Sequence, residues 1–148
     1  TILIDYAHTP DGLENVLRSV KGFARGRTVA VFGCGGDRDP MKRPIMGAIG
    51  ARIADVAIIT SDNPRFEEPQ EIINDIKIGI DKTSGKYVEV IERKEAIRYA
   101  IEHAQVGDVI VLAGKGHEDY QIINGVKHHF DDKEKIKEAF QMLKESKN

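Results

Sequence analysis

Five short aliphatic or β-branched runs recur along the chain, four of them followed by a helix-period pattern and the last by a hairpin and a final helix, and this alternation restricts the fold more than any other feature. Ile2 to Ile4, Thr28 to Phe32, Ala57 to Thr60, Tyr87 to Ile91 and Val109 to Leu112 read as strands. They are mostly apolar on both faces, as strands sandwiched between helices should be. In the first helix Leu13, Val16, Leu17, Val20 and Phe23 form one apolar stripe, with Thr9 before Pro10 as its start signal. The second is expected to begin near Arg43 and Pro44 and to face inward through Ile45, Met46, Ile49 and Ile53, with Gly47 and Gly50 permitting close approach. Pro69 opens a third carrying Ile72, Ile73, Ile76 and Ile80; Ile97, Ala100, Ile101 and Ala104 mark a fourth.

After the fifth strand the period changes. Gln121 to Ile123, the dipeptide Asn124-Gly125 and Val126 to Phe130 carry a hairpin signal. Asp131 or Asp132 then caps a last helix with Ile136, Ala139, Phe140 and Leu143 inward. Short loops between strand-helix units imply an α/β, Rossmann-like fold. Its mostly parallel twisted sheet of about six strands would be flanked by helices, with the hairpin as an antiparallel edge. One domain spanning residues 1–148 is expected, since a chain of 148 residues is large enough for a single core and contains no linker, repeat or low-complexity stretch.

Composition narrows the partners. A formal net charge of -2 builds no broad positive field, so neither nucleic acid nor an anionic membrane is expected and a small molecule is favoured. The apolar runs are too short to span a bilayer. A single cysteine, Cys34, rules out an internal disulfide and suits a reducing, cytoplasmic compartment. The chain starts directly on a strand with no secretion signal, which suggests a domain of a longer polypeptide.

In doubly wound sheets ligands bind beyond the C-terminal ends of the strands. Four post-strand loops are polar or glycine-rich: Asp5 to Pro10, Gly33 to Asp39, Ser61 to Arg65, and Gly114 to Asp119. Taken singly, each has a plain explanation. Gly33, Gly35 and Gly36 can be a flexible turn, and the dinucleotide fingerprint fails because Arg38 stands at its third glycine. Gly114-Lys115 ends like a P-loop, but Val109 and Gly116 break that motif. Asp62-Asn63-Pro64-Arg65 can be only a turn. His8 and His117 lack the spacing of a metal site, no metal ligands are assigned, and Cys34 has no base beside it. Together the loops say more. Arg38, Arg65 and Glu118 on one sheet edge would make a pocket with cationic and anionic ends, which suits a zwitterion.

These four loops, with Lys42-Arg43-Pro44 and the continuation Tyr120-Gln121, resemble in order and spacing the C-terminal domain of Mur ligases, in the branch that builds UDP-N-acetylmuramoyl-tripeptide. The likeness covers essentially the whole chain. It implies an ATP-dependent, amide-forming ligase of peptidoglycan synthesis, acting as a monomer, that adds meso-diaminopimelate to UDP-MurNAc-L-Ala-D-Glu. By resemblance, Asp62, Asn63, Pro64 and Arg65 form the meso-diaminopimelate recognition motif, with Arg65 on the far carboxylate. Arg38 lines the same site, and Gly114 and Glu118 meet the distal amino-acid centre. Lysine lacks the second carboxylate and would leave a desolvated arginine unpartnered, so rejection by roughly 10⁴-fold is within reach of such a site. Asp5 or His8 would touch the nucleotide, or Asp5 only orders the turn before the first helix. No role is assigned to Lys115 or His117.

The family activates the substrate carboxylate with ATP and magnesium as an acyl phosphate. The P-loop, the central lysine and the Mg2+ ligands for that step would lie before Thr1, in a central ATPase domain preceded by a UDP-substrate domain. No catalytic residue is expected here, and the isolated domain should be inactive. Two alternatives stay open at this level: a domain from a lysine-adding relative, or a stand-alone amino-acid- or nucleotide-binding α/β module. An oxidoreductase on the same sheet would need a glycine fingerprint where Asp5 to Pro10 stands.

Overall fold

The computed structural model describes residues 1–146. Five strands form one fully parallel sheet: β1 (Ile2–Asp5), β2 (Thr28–Phe32), β3 (Val56–Ile59), β4 (Tyr87–Glu89) and β5 (Val109–Ala113). Their spatial order is β1-β5-β2-β3-β4. Right-handed crossovers carry the chain one way from β1 to β4 and then back to insert β5 between β1 and β2. That reversal decides which face each helix covers. α1 (Pro10–Phe23), α2 (Lys42–Ile53) and α3 (Pro69–Ile80) pack on one face, and α4 (Arg93–Glu102) and α5 (Asp132–Ser146) on the other. The two-residue strand period splits β2 accordingly: Ala30 and Phe32 join the first core, Val29 and Val31 the second.

The expected start signals act as sequence chemistry requires. Thr9 Oγ1 accepts the Gly12 N–H at 3.1 Å, and Pro10 occupies the first turn of α1. Asp131 Oδ1 accepts the Lys133 N–H, so it caps α5 and leaves Asp132 free to turn inward. Ile72, Ile73, Ile76 and Ile80 are all buried, as are Ile97, Ala100 and Ile101.

Three details differ from expectation. α2 buries Met46, Gly47, Gly50 and Ala51 and leaves Ile45 52% exposed. Met46 and Ile53 face inward as expected, with the two glycines beside them permitting close approach: a Cβ on Gly47 would lie 2.1 Å from the Ile76 carbonyl oxygen, and one on Gly50 2.5 Å from the Phe32 ring. Phe23 is exposed at the end of α1, where burial is cheapest to give up, Phe140 is exposed in the middle of α5, and Ala104 lies beyond α4 in the solvent.

The hairpin is the third difference. β6 (Tyr120–Ile123) and β7 (Val126–His129) form a separate antiparallel pair rather than an edge of the main sheet. The turn is the expected one, with positive φ at both Asn124 and Gly125. Its partner is the loop after β3: the Arg65 N–H donates to the Ile122 carbonyl at 2.9 Å, and the Asn124 N–H to the Arg65 carbonyl at 2.6 Å. Two backbone bonds to one loop residue outweigh edge pairing here because β5 ends between β1 and β2, away from either free edge.

Candidate functional site

All four polar loops open at the C-terminal end of the sheet and surround a cavity of about 370 Å3. Its walls bring together Arg38, Asp62, Asn63, Arg65, Gly114 and Glu118, with His8 at one side. Two of the nine expected positions do not reach it. Pro64 faces a separate apolar recess with Pro69, Ile91 and Phe130. Asp5 uses Oδ1 to accept the Ala7 N–H at 2.8 Å and so orders the turn into α1. His8 shares a hydrogen bond between Nδ1 and the Tyr6 carbonyl, and its own carbonyl accepts from Lys42 Nζ at 3.2 Å.

Arg65 is held in an uncommon conformation. Its φ of 52° lies in the left-handed region, which costs a branched or long side chain about 1 kcal/mol or more. The two hydrogen bonds to the hairpin maintain it. Nη1 donates to the Gly36 carbonyl at 2.9 Å, while Nε and Nη2 carry no hydrogen bond among the described residues. An arginine braced at one nitrogen with others free is prepared to grip a carboxylate. Arg38 is exposed and, among the described residues, tethered only through Nη1 to the Asp37 carbonyl. Glu118, half-buried, accepts from the Tyr120 hydroxyl at 3.3 Å and retains carboxylate capacity for a cation.

The loops after β2 and β3 are stapled together. The Gly36 N–H donates to the Asn63 carbonyl at 2.7 Å, and a Cβ on Gly36 would sit 1.9 Å from the Pro64 carbonyl oxygen. Only glycine fits there. Asp37 closes a second staple, its N–H donating to Glu67 and its carboxylate accepting the Phe66 N–H. Arg43, almost fully buried, supplies a third: it pairs with both oxygens of Glu67 at 3.0 Å, with Asp75, and with the Gly35 carbonyl. Arg43 and the Asp37 N–H hold the Glu67 carboxyl below its ordinary range. Sequence reasoning missed Arg43 as a brace, although one signal existed. Lys42 and Arg43 open α2 with no acid in the first turn, against the helix dipole, so their charges had to be met elsewhere.

Beneath the cavity lies a buried ionic layer. Lys115 is fully buried and donates from Nζ to the Tyr120 carbonyl at 2.7 Å and to Asn63 Oδ1 at 3.2 Å. Asp62 Oδ1 is 3.3 Å from the same ammonium, but misaligned, and it makes no hydrogen bond. Burial pushes the Lys115 ammonium below its ordinary value, and Asp62 opposes that shift. Gly114, at φ 114°, passes close over this layer: a Cβ there would lie 3.5 Å from Asp62 Oδ2. Arg93 at the start of α4 and Asp132 at the start of α5 form a fully buried pair with two contacts of 2.9 Å, and Arg93 also donates to the Ala113 carbonyl. Cys34 lines the cavity as a buried thiol whose pKa burial pushes up to about 12, so it is no nucleophile.

Among the described residues no group of three or more His, Cys, Asp or Glu side chains is placed to hold a metal ion. Nor is any helix among them long and apolar enough to cross a membrane.

The profile of the family described as "Mur ligase, glutamate ligase domain" matches residues 1–116. The chain belongs to the Mur ligase family. It is 57% identical over 143 residues to a UDP-N-acetylmuramoyl-L-alanyl-D-glutamate--2,6-diaminopimelate ligase of Clostridioides difficile (strain 630), covering 97% of this chain and 30% of that protein. The ligase of the same name from Bacteroides fragilis is 57% identical over 145 residues, covering 96% of this chain and 30% of its own length. A solved structure of such a ligase superimposes with a TM-score of 0.91 at 48% identity, over 96% of this chain and 29% of that one. This Mur ligase chain thus spans about 30% of the length of the curated relatives it matches. An E. coli FolC structure in complex with ADP shares the fold alone, with a TM-score of 0.58 at 16% identity over 99% of this chain and 29% of that chain.

Proposed function

We propose that this chain is the C-terminal, amino-acid-recognition domain of an ATP-dependent ligase that adds meso-diaminopimelate to UDP-MurNAc-L-Ala-D-Glu. On this reading the UDP-substrate and central ATPase domains precede Thr1, consistent with relatives more than three times as long. The observation that carries the proposal is the convergence of Arg65, Arg38 and Asn63 with Glu118 and Gly114 on one cavity. Donors gather on the β2 and β3 loops, and a carboxylate comes from the β5 loop. A distal amino-acid centre bearing a carboxylate and an ammonium matches both. Each charge-assisted hydrogen bond to Arg65 contributes about 1.5–3 kcal/mol.

The domain's own contribution is positioning. Arg65, fixed by the hairpin, sets the far end of the amino acid, which leaves the near amino group at the open mouth of the cavity. ATP, with magnesium held by the other domains, supplies the activation of the dipeptide carboxylate that this amine attacks. Holding the amine in line for that attack accounts for several kcal/mol of barrier lowering. The proposed setting is the cytoplasm, which suits the free thiol of Cys34.

Steady-state phosphate release by the intact ligase tests the proposal. Meso-diaminopimelate should support turnover and lysine should fall behind by roughly 10⁴-fold in kcat/KM. Comparable turnover with lysine contradicts it.

A further inference from the structure

Lys115 belongs to the Gly114 to Asp119 motif, yet it cannot touch a ligand, because its side chain has no exposed surface. What it touches is Asn63. The Asn63 carboxamide oxygen accepts two hydrogen bonds, from the Ile122 N–H at 3.0 Å and from Lys115 Nζ at 3.2 Å. Both partners are obligatory donors, so the oxygen must face them and the amide orientation is determined by chemistry. Nδ2 is then the one polar atom of the side chain with no protein partner among the described residues, and it is not sealed from solvent. Asn63 lines the cavity beside Arg65 and Arg38. On that side of the cavity Nδ2 adds a donor to the two guanidinium groups.

We infer that Lys115 is a positioning residue for amino-acid discrimination: by holding the Asn63 oxygen it makes that side chain present N–H donors to a second carboxylate. The inference rests on the functional reading above. With Lys115 gone, the Ile122 N–H alone orients the amide, and a flipped amide places an acceptor in the cavity. An acceptor repels a carboxylate and welcomes the ammonium of lysine. Lys115 therefore acts through the hydrogen-bond polarity of a neighbour rather than through contact with substrate. Its bond to the Tyr120 carbonyl also fixes the start of β6, so the hairpin and the amide are set by one cation.

The test uses the intact ligase with meso-diaminopimelate, lysine and ATP as varied substrates. Wild type comes first: equal use of the two amino acids overturns the functional reading and this inference with it. Given a discriminating wild type, Lys115→Met should raise KM for meso-diaminopimelate about tenfold or more, the worth of a charge-assisted bond, and narrow its lead over lysine. The loss should fall on that KM more than on kcat, with KM for ATP held within about twofold, and Lys115→Arg should restore part of the discrimination. An unchanged ratio, or a uniform loss of activity across all substrates, overturns the inference and leaves the functional reading standing. Should Lys115→Met fail to fold, wild-type NMR decides. The Asn63 side-chain amide signals, assigned by their loss in Asn63→Asp, should shift with meso-diaminopimelate and stay still with lysine. Signals indifferent to meso-diaminopimelate overturn it.

Discussion

Replacing Gly36 with alanine probes whether the site depends on the spacing between two loops. The added Cβ would lie 1.9 Å from the Pro64 carbonyl oxygen, where ordinary contact begins near 3.4 Å, so the loops must part by about 1.5 Å. Two hydrogen bonds cross that gap. The Gly36 N–H to the Asn63 carbonyl is a neutral bond worth about 1 kcal/mol, and Arg65 Nη1 to the Gly36 carbonyl is charge-assisted, worth about 1.5–3 kcal/mol. Losing both destabilises the domain by about 2.5–4 kcal/mol, a fall in thermal midpoint on the order of 10 °C for this size. Arg65 loses its brace in the same movement, and displacement of about 1 Å can cost a reaction roughly 10²-fold. Calorimetric unfolding of the domain and steady-state kinetics of the intact ligase read the two effects. A variant with an unchanged midpoint and unchanged kcat/KM for meso-diaminopimelate would refute the stapled-loop account.

Asp132→Ala leaves the Arg93 guanidinium buried and unpaired, so the domain should lose about 3–5 kcal/mol, and the double change Arg93→Met with Asp132→Leu should recover most of it; a near-neutral single variant contradicts this. Asp108 governs part of the acid limb. Burial alone would raise its pKa, but Arg27 and the N–H groups of Gln105 and Arg27 bring it below the ordinary value. A depressed carboxyl contributes stability that is complete above about pH 4 and lost as pH falls through the folded value. Acid unfolding of Asp108→Asn should accordingly be flatter than wild type below about pH 4, and superimposable profiles would exclude the role. Native Cys34 should resist a disulfide reagent at pH 8 and react as one equivalent after unfolding, because its thiol titrates only near pH 12; rapid native labelling would show that the thiol is accessible.

Local chemistry was readable where partners are near in sequence. Thr9 caps α1 three residues ahead of Gly12, Asn124-Gly125 turns the hairpin, and each apolar run marks a strand, although β4 ends at Glu89, two residues before Ile91. The four loops were readable as one edge because parallel crossovers send every post-strand loop to the same end. Residues whose partners lie far along the chain were not readable. Lys115 meets Asn63 across 52 residues, Arg93 meets Asp132 across 39, and Arg43 meets Glu67 across 24. Each is a long cationic side chain that, taken singly, looks like a solvated charge. The hairpin was placed at the sheet edge for a related reason: its actual partner, Arg65, is a single loop residue in a left-handed conformation rather than a strand with a pattern. In α2 the inward Met46 and Ile53 and the close approach at Gly47 and Gly50 were legible, and only Ile45, 52% exposed, was not.

The most direct measurement is a crystal structure of the intact ligase with meso-diaminopimelate bound. The account predicts the distal carboxylate paired to Arg65 and within reach of Asn63 Nδ2, with the distal ammonium against Glu118. A ligand seated elsewhere, or one whose distal carboxylate leaves Arg65 bonded only to Gly36, would contradict it.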